Sequence, residues 1–99
     1  MIYNYQLSEE AEMDVMEAYS WYEKQKQGLG EEFLEALDHA KKVISSNPLT
    51  YKVYYKNKVR AFVLSRFPFL VLYLVDDIDI NVISVFNTNQ HPKKWKKRL

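Results

Sequence analysis

The sequence has 99 residues with 47% hydrophobic and 15% aromatic content, enough for one domain with a core, which excludes global disorder. Cysteine is absent, so disulfides and thiolate metal sites are excluded. The sequence also has neither a metal-ligand constellation nor a phosphate-binding glycine loop, so neither a metal nor a cofactor is expected. The net charge is +1, yet residues 1–40 carry ten acidic and two basic side chains, and residues 41–99 carry three acidic and twelve basic ones. This asymmetry predicts a positive surface for a polyanion or an acidic partner, unless the two halves neutralise each other in the fold.

The N-terminus, M-I-Y-N-Y-Q, lacks the basic and apolar regions of a secretory signal, and no apolar run approaches the ~20 residues of a membrane span. A cytoplasmic protein without membrane contact is therefore expected. Neither an internal repeat nor a linker interrupts the chain, so residues 1–99 are interpreted as a single domain.

Residues 1–7 alternate as a strand would, with Tyr3, Tyr5 and Leu7 on one side. Ser8 then has the side chain of a helix N-cap, and a helix is predicted over roughly residues 9–26. Apolar residues recur there at helical spacing: Ala11, Val15, Ala18, Tyr19 and Tyr22.

A short turn with two glycines separates this helix from a second one. Either Gly28 or Gly30 can adopt the left-handed conformation that closes a helix. The second helix is predicted to begin at Glu31 and to end at Asn47-Pro48, because a residue before proline disfavours helical geometry. The two helices are expected to form an antiparallel hairpin.

Three consecutive strands are predicted over about residues 59–65, 69–75 and 79–86, which are rich in β-branched and aromatic residues. The middle strand, F-L-V-L-Y-L-V, is apolar on both faces and is expected to be central. Residues 49–58 are expected to be extended. The order β-α-α-β-β-β predicts an α+β fold in which the helical hairpin packs on one face of a mostly antiparallel sheet.

Tight turns at Asp76–Asp79 and at Arg66–Phe69 would fix the strand register. The expected pairs are Val75–Ile80, Tyr73–Val82, Val71–Ser84, Leu64–Val71 and Phe62–Tyr73. Alternation then defines two faces of the sheet. The aliphatic face holds Ala61, Val63, Ser65, Leu70, Leu72, Leu74, Asn81, Ile83 and Val85. The arginine face holds Arg60, Phe62, Leu64, Arg66, Phe69, Val71, Tyr73, Val75, Ile80, Val82, Ser84 and Phe86. We expect the helices to cover the aliphatic face and the arginine face to be the functional one.

Several segments, in this order and at this length, resemble the RelE/ParE superfamily of bacterial type II toxin–antitoxin systems, whose members are often labelled plasmid stabilisation proteins. They are A-x-x-x-V-x-x-A-Y-S-W-Y (Ala11 to Tyr22), G-L-G-E-E-F (Gly28 to Phe33), Asn47-Pro48, V-R-x-x-x-L-x-R-F-P-F-x-V-x-Y (Val59 to Tyr73), V-I-S-V-F (Val82 to Phe86) and P-x-x-W-x-x-R (Pro92 to Arg98). The resemblance covers nearly the full length and implies a single toxin domain with the fold of that superfamily.

The resemblance also implies partners. An antitoxin encoded nearby would neutralise the toxin by wrapping it with an extended or helical C-terminal segment. ParE-like members inhibit DNA gyrase by binding, whereas RelE-like members cut mRNA in the ribosomal A site. A homodimer and a toxin–antitoxin heterotetramer are both compatible with this reading.

Departures from the ribonuclease pattern favour the gyrase inhibitor. Arg66 lies close to the position of the sheet arginine of RelE-like enzymes. However, Gln90 and Trp95 stand where a basic residue and a tyrosine are implied, and Asn87 replaces a histidine common in relatives. We therefore predict a ParE-like gyrase inhibitor and leave enzymatic activity open. The alternatives are a ribosome-dependent mRNA endoribonuclease (an mRNA interferase) and a degenerate, non-toxic member.

Candidate site residues follow from the chemistry of each reading. Acid–base cleavage of RNA requires proton carriers and positive charge, for which the candidates are Arg66, Tyr73, His91 and Lys94. Target binding requires cations and a stacking ring, for which the candidates are Arg60, Arg66, Lys93, Lys94, Trp95, Lys97 and Arg98. The structural alternatives are arginines paired with Asp76, Asp77 or Asp79, a core position for Tyr73, a loop position for His91, and a Trp95 that anchors the tail.

Overall fold

The structure is a computed structural model that describes residues 2–99. Its elements in this range are β1 (Asn4–Leu7), α1 (Glu9–Gln25), α2 (Leu29–Ser46), β2 (Val53–Tyr55), β3 (Val59–Val63), β4 (Phe69–Asp76), β5 (Asp79–Asn87) and α3 (Lys93–Lys96). The strands form one sheet in the order β1-β5-β4-β3-β2. Strand β1 is parallel to β5 and the other neighbours are antiparallel, so the predicted α+β class is confirmed.

Helix α1 begins where its cap predicts. The Ser8 hydroxyl accepts a hydrogen bond from the amide of Ala11 at 3.1 Å, and three glutamates occupy the first turn, where the helix dipole favours negative charge. Helix α2 begins at Leu29, two residues earlier than expected, because Gly28 takes a left-handed conformation (φ 89°) and becomes its N-cap.

The turn between α1 and α2 is held by Glu23. Its Oε1 accepts hydrogen bonds from the amides of Gly28 and Gly30 at 3.0 and 2.9 Å. A Cβ at Gly30 would lie 2.8 Å from the Tyr19 ring, so the two helices meet closely only because this residue has no side chain.

The expectation about which face the helices cover is wrong, because α1 and α2 pack on the arginine face. Phe33 of α2 is buried there, with its ring centroid 5.3 Å from that of Phe67 and 5.0 Å from that of Phe69. Tyr22 of α1 lies 5.0 Å from Phe67. Close packing beneath two helices requires large side chains, and the aromatic rings of the arginine face fill that space. The smaller side chains of the aliphatic face would not fill it.

The strand registers are partly as expected. Two expected pairs of β4 and β5 are present, Val75–Ile80 and Tyr73–Val82. The third is wrong, because the register shifts beyond Tyr73 and Val71 pairs with Val85. Ile83 is the extra residue of this bulge, so Val85 moves to the arginine face and Phe86 to the aliphatic face.

The pairs expected between β3 and β4 are wrong by two residues, because Val71 pairs with Phe62 and Tyr73 with Arg60. The connection is therefore longer than a tight turn, as Pro68 requires. An even shift keeps each side chain on its expected face.

The aliphatic face is covered in part by the C-terminal segment and not by the helical hairpin, and Val63 at its end is 73% exposed. Trp95 of α3 is fully buried against this face, with ring centroids 5.2 Å from Tyr55 and 6.3 Å from Phe86. The sequence did not predict α3, and of the extended stretch 49–58 only Val53–Tyr55 pairs as a strand.

Candidate functional site

The C-terminal segment, residues 91–99, carries five cations on a fixed support. The buried indole of Trp95 holds the single turn α3 against the sheet. Around it, the side chains of four lysines reach the surface: Lys93, Lys94, Lys96 and Lys97. These four lysines form a positive surface around the buried tryptophan, and we call them the α3 ridge.

Arg98 fastens the end of this segment to α1. Its Nη1 donates to Oδ2 of Asp14 at 2.7 Å, and its Nη2 donates to Oδ1 at 2.9 Å. The two side chains are 10% and 11% exposed, so the pair is largely shielded from water. The hydrogen bond to Asp14 raises the pKa of Arg98, and Oε2 of Glu10 adds a third carboxylate contact at 3.5 Å from Nε. We call the Arg98–Asp14 pair the C-terminal clasp.

The C-terminal clasp also supplies hydrogen-bond partners to the part of β5 that has no neighbouring strand on one side. Strand β1 ends at Leu7, opposite Val82, so the next residues of β5 have no neighbouring strand on that side. Arg98 Nη1 donates to the Ile83 carbonyl at 2.9 Å, and the Val85 amide donates to Asp14 Oδ2 at 3.1 Å. Backbone groups that would be costly to bury unpaired are thereby satisfied by two side chains.

Asp14 was not selected from the sequence as a functional residue. A signal is nonetheless present, because Asp14 lies three residues after Ala11 and four before Ala18, both buried. A carboxylate so close to the apolar side of a helix requires a partner, and Arg98 supplies it.

A cleft of about 360 Å³ lies between α1 and the chain that follows β5. The side chains that line it include Asp14, Glu17 and Trp21 on one side and Asn87, Gln90 and Lys94 on the other. Lys94 Nζ lies 3.9 Å from Glu17 across the cleft. Asn87 and Gln90, the positions after β5 at which the chain departs from the ribonuclease pattern, thus lie beside the α3 ridge.

Arg60 of β3 and Arg66 of the connection between β3 and β4 lie elsewhere and contact nearby groups. Arg60 Nη1 donates to the carbonyls of Leu49 and Tyr51, at 3.3 and 2.6 Å. Arg66 has a positive φ of 71°, and its Nη2 lies 2.6 Å from Glu32 of α2, which lowers the pKa of Glu32. Neither pairs with the aspartates near the β4–β5 turn, so that structural alternative is wrong.

The candidate proton carriers are not brought together. Tyr73 is buried beneath the helices, where its hydroxyl donates to the Pro48 carbonyl at 2.8 Å and burial raises its pKa to about 12. His91 is exposed at the start of α3, where its Nδ1 accepts from the Lys93 amide at 3.2 Å. Arg66 forms its ion pair with Glu32 of α2.

Residues 2–99 contain no group of three or more His, Asp or Glu side chains that could hold a metal ion. In the same residues, no helix combines the length and the hydropathy that crossing a bilayer requires.

Comparison with known families decides the class of the chain. Residues 5–92 match the family described as "ParE toxin of type II toxin-antitoxin system, parDE". The chain belongs to this ParE toxin family.

No curated protein sequence matches it. A solved structure titled "Chromosomal ParDE TA system from P. aeruginosa" is similar, with a TM-score of 0.77 and 15% identity, over 87% of this chain and 96% of that chain. At this level of identity the likeness shows the fold, an α+β sheet with a helical hairpin, which the two chains share. Membership of this family of type II system toxins supports a cognate antitoxin as its partner.

Proposed function

We propose that this ParE-family protein inhibits DNA gyrase by binding it through the α3 ridge. The observation that carries the proposal is the fixed presentation of Lys93, Lys94 and Lys97 around the buried Trp95, with Arg98 clasped to Asp14. Charges on a preorganised support bind an acidic or nucleic-acid surface with less loss of conformational entropy than charges on a mobile tail.

A binding mechanism is better supported than RNA cleavage. Cleavage would require a base and an acid at one phosphate, both within hydrogen-bond reach. Tyr73 cannot supply either group without leaving the core, because its hydroxyl is buried and donates to the Pro48 carbonyl. His91 lies beside the lysines of α3, whose ammonium groups supply the positive charge that recognition requires, and this arrangement favours binding over cleavage.

We assign distinct roles to the residues predicted for target binding. Lys93, Lys94 and Lys97 contact the target, and Trp95 and Arg98 position them. The remaining two, Arg60 and Arg66, stabilise the fold through the loop carbonyls and Glu32. No cofactor is required by this scheme. The cognate antitoxin would neutralise the toxin by covering the α3 ridge, and its gene is expected next to that of the toxin.

The test is induced expression of the chain, followed in parallel by DNA supercoiling and by primer extension on mRNA. We expect loss of negative supercoiling and a DNA-damage response, with transcripts intact. Cleavage of mRNA at ribosomes with normal supercoiling would contradict the proposal and favour the endoribonuclease alternative. Unaffected growth, supercoiling and transcripts would indicate a non-toxic family member.

A further inference from the structure

Strand β2 contains one residue more than the part of β3 with which it pairs, and this residue is Tyr54. Its neighbours Val53 and Tyr55 pair with two consecutive residues of β3, so Tyr54 is the extra residue of a bulge. A bulge changes the direction of a side chain relative to regular alternation. The rings of Tyr54 and Tyr55 both lie near Trp95, with centroids 5.9 and 5.2 Å from its ring. Tyr55 is partly buried there, whereas Tyr54 is 52% exposed.

Four exposed lysines belong to the same region of the surface: Lys52, Lys56 and Lys58 beside β2, and Lys96 of α3. The Nζ atoms of Lys56 and Lys96 lie 5.4 and 4.7 Å from the centre of the Tyr55 ring, so cations from two distant parts of the sequence meet at one ring. None of the four lysines forms an ion pair with another of the residues 2–99. We call Tyr54 and these four lysines the β2 surface.

The chain segments that form the β2 surface carry no acidic side chain. Aspartate and glutamate are absent from residues 39–75 and from residues 80–99. Neighbouring cations without a counter-charge repel one another, and an anion between them removes this repulsion. The β2 surface is therefore complementary to a partner with a row of negative charges.

Lys56 occupies a position in the turn between β2 and β3 at which the backbone does not favour lysine. Its φ is 50°, and the φ of Asn57 is 58°. Two-residue hairpin turns with two positive φ values are most often Asn-Gly, Asp-Gly or Gly-Gly. The turn itself thus does not require a lysine, which instead adds a cation at the tip of the hairpin.

We propose that the β2 surface binds single-stranded nucleic acid, with the lysines at phosphates and the Tyr54 ring stacked on an unpaired base. An exposed aromatic ring among cations is the arrangement that such a strand requires. Lysines contact phosphates without reading the sequence, so the binding is expected to be independent of sequence and to weaken with salt.

The bulge favours nucleic acid over an acidic peptide. A peptide would bind a sheet edge as an added strand, through a regular row of backbone hydrogen bonds. Strand β2 is an edge strand, but the bulge at Tyr54 interrupts its row of backbone groups, and lysines on both sides further disfavour strand addition. Stacking and phosphate contacts do not require a regular edge.

This proposal goes beyond gyrase inhibition and uses different side chains. Inhibition was assigned to contacts of Lys93, Lys94 and Lys97, and none of these lysines is changed in the variants described below. The two proposals can therefore fail independently.

The test is fluorescence anisotropy of the full-length chain with labelled DNA at several salt concentrations. The probes are a twelve-nucleotide oligothymidylate and a twelve-base-pair duplex. Tyr54→Ala should weaken binding of the oligothymidylate about tenfold and leave duplex binding within about twofold, because the base faces of a duplex are already covered. Tyr54→Phe retains the ring and should bind both probes as the wild type does.

Two variants test the charges. Lys52→Glu/Lys56→Glu/Lys58→Glu should abolish binding of the oligothymidylate. Lys56→Asn removes one cation and suits the left-handed backbone, so it should fold as the wild type does. It should reduce the slope of log affinity against log salt by about 0.7, the value for one phosphate contact on a single strand.

Matched controls separate recognition from folding and from net charge. Lys26→Glu/Lys41→Glu/Lys42→Glu makes the same charge change on the helical hairpin and should leave binding within about twofold. Tyr54→Leu keeps an apolar side chain beside Trp95 without a ring, and should weaken oligothymidylate binding as much as Tyr54→Ala does. Thermal unfolding of each variant identifies any that fails to fold.

Four results would overturn the proposal. One is no binding of the oligothymidylate at low salt, and another is equal loss in the β2 and hairpin triple variants. The third is a folded Tyr54→Ala that changes the affinities for both probes equally or not at all. The fourth is displacement of the oligothymidylate by polyglutamate of equal charge at the same concentration as by unlabelled oligothymidylate, which would assign the β2 surface to an acidic protein.

Discussion

The carboxylate of Asp14 connects α1, β5 and the C-terminus through its two oxygens. They accept from both terminal nitrogens of Arg98, from the Val85 amide at 3.1 Å and from the Ser84 hydroxyl at 3.3 Å. Removing its charge would leave the Arg98 guanidinium shielded from water without a full counter-charge, which is among the more destabilising changes known in proteins.

We therefore expect Asp14→Asn to lower the free energy of unfolding by about 3 kcal/mol. Urea unfolding followed by circular dichroism measures this change. The matched control is Asp38→Asn, which removes an exposed carboxylate paired with Lys42 and should cost less than about 0.5 kcal/mol. Equal effects of the two substitutions would show that the C-terminal clasp contributes no more than a surface ion pair.

Tyr73 gives the fold a sensitivity to alkaline pH. Burial raises its pKa from 10.0 to about 12, and burial does the same for Tyr5. An unfolded tyrosine releases its proton near pH 10, whereas these two retain it in the folded state. The unfolded state is therefore favoured as pH rises, and stability should fall between pH 10 and about 12.

The variant Tyr73→Phe separates this effect from packing. At neutral pH it should lose about 1 kcal/mol, because the hydrogen bond to the Pro48 carbonyl is gone. Above pH 10 its stability should fall less steeply than that of the wild type, because one proton no longer dissociates on unfolding. Urea unfolding at neutral and alkaline pH gives both slopes, and identical slopes would contradict the assignment.

At the scale of elements, the sequence predicted the helix ends that are determined by neighbouring residues. The Ser8 cap and the apolar spacing gave the start and length of α1, and Asn47-Pro48 marked the end of α2. The bulge at Ile83 could not be predicted, because Ile83, Val85 and Phe86 are all apolar and alternation does not show which residue is extra. The sequence pattern also does not show which face of the sheet the helices cover, because this depends on how the Phe33 ring of α2 packs against the rings of the sheet.

The support of the α3 ridge was the least predictable part. Arg98 and Asp14 are separated by 84 positions in the sequence, and no local pattern links residues so far apart. Trp95 is anchored in the fold, which agrees with one of the two alternatives that the sequence left open. A single helical turn within a lysine-rich tail has little intrinsic stability, and α3 exists because its tryptophan is buried.

Trp95→Ala tests whether the α3 ridge depends on that indole. We expect a loss of about 3–5 kcal/mol in unfolding free energy and rapid proteolysis after the lysines, because the segment loses its contact with Tyr55 and Phe86. Trp95→Phe should retain part of the stability and slow the proteolysis again. A variant Trp95→Ala that resists proteolysis as the wild type does would show that the clasp alone fixes the segment.

At the scale of the whole molecule, the two oppositely charged halves of the sequence meet in the fold. Ion pairs join Arg66 to Glu32, Lys94 to Glu17, and Arg98 to Asp14 and Glu10, each linking the basic half to the acidic one. Neutralisation is incomplete, since Lys93, Lys96 and Lys97 on α3 and Lys52, Lys56 and Lys58 around β2 pair with no acid among residues 2–99. Lys56 and Lys96 both lie over the Tyr55 ring, so the positive surface expected from composition extends from α3 to β2.

The most direct measurement is supercoiling by purified gyrase in the presence of the full-length chain. The variant Lys93→Glu/Lys94→Glu/Lys97→Glu is compared with Lys26→Glu/Lys41→Glu/Lys42→Glu, which makes the same charge change on exposed lysines of the helical hairpin, on the other side of the sheet. We predict that the wild type and the hairpin variant inhibit supercoiling and that the α3 variant does not. Full inhibition by a folded α3 variant, or equal loss in both triple variants, would contradict a binding surface at the α3 ridge.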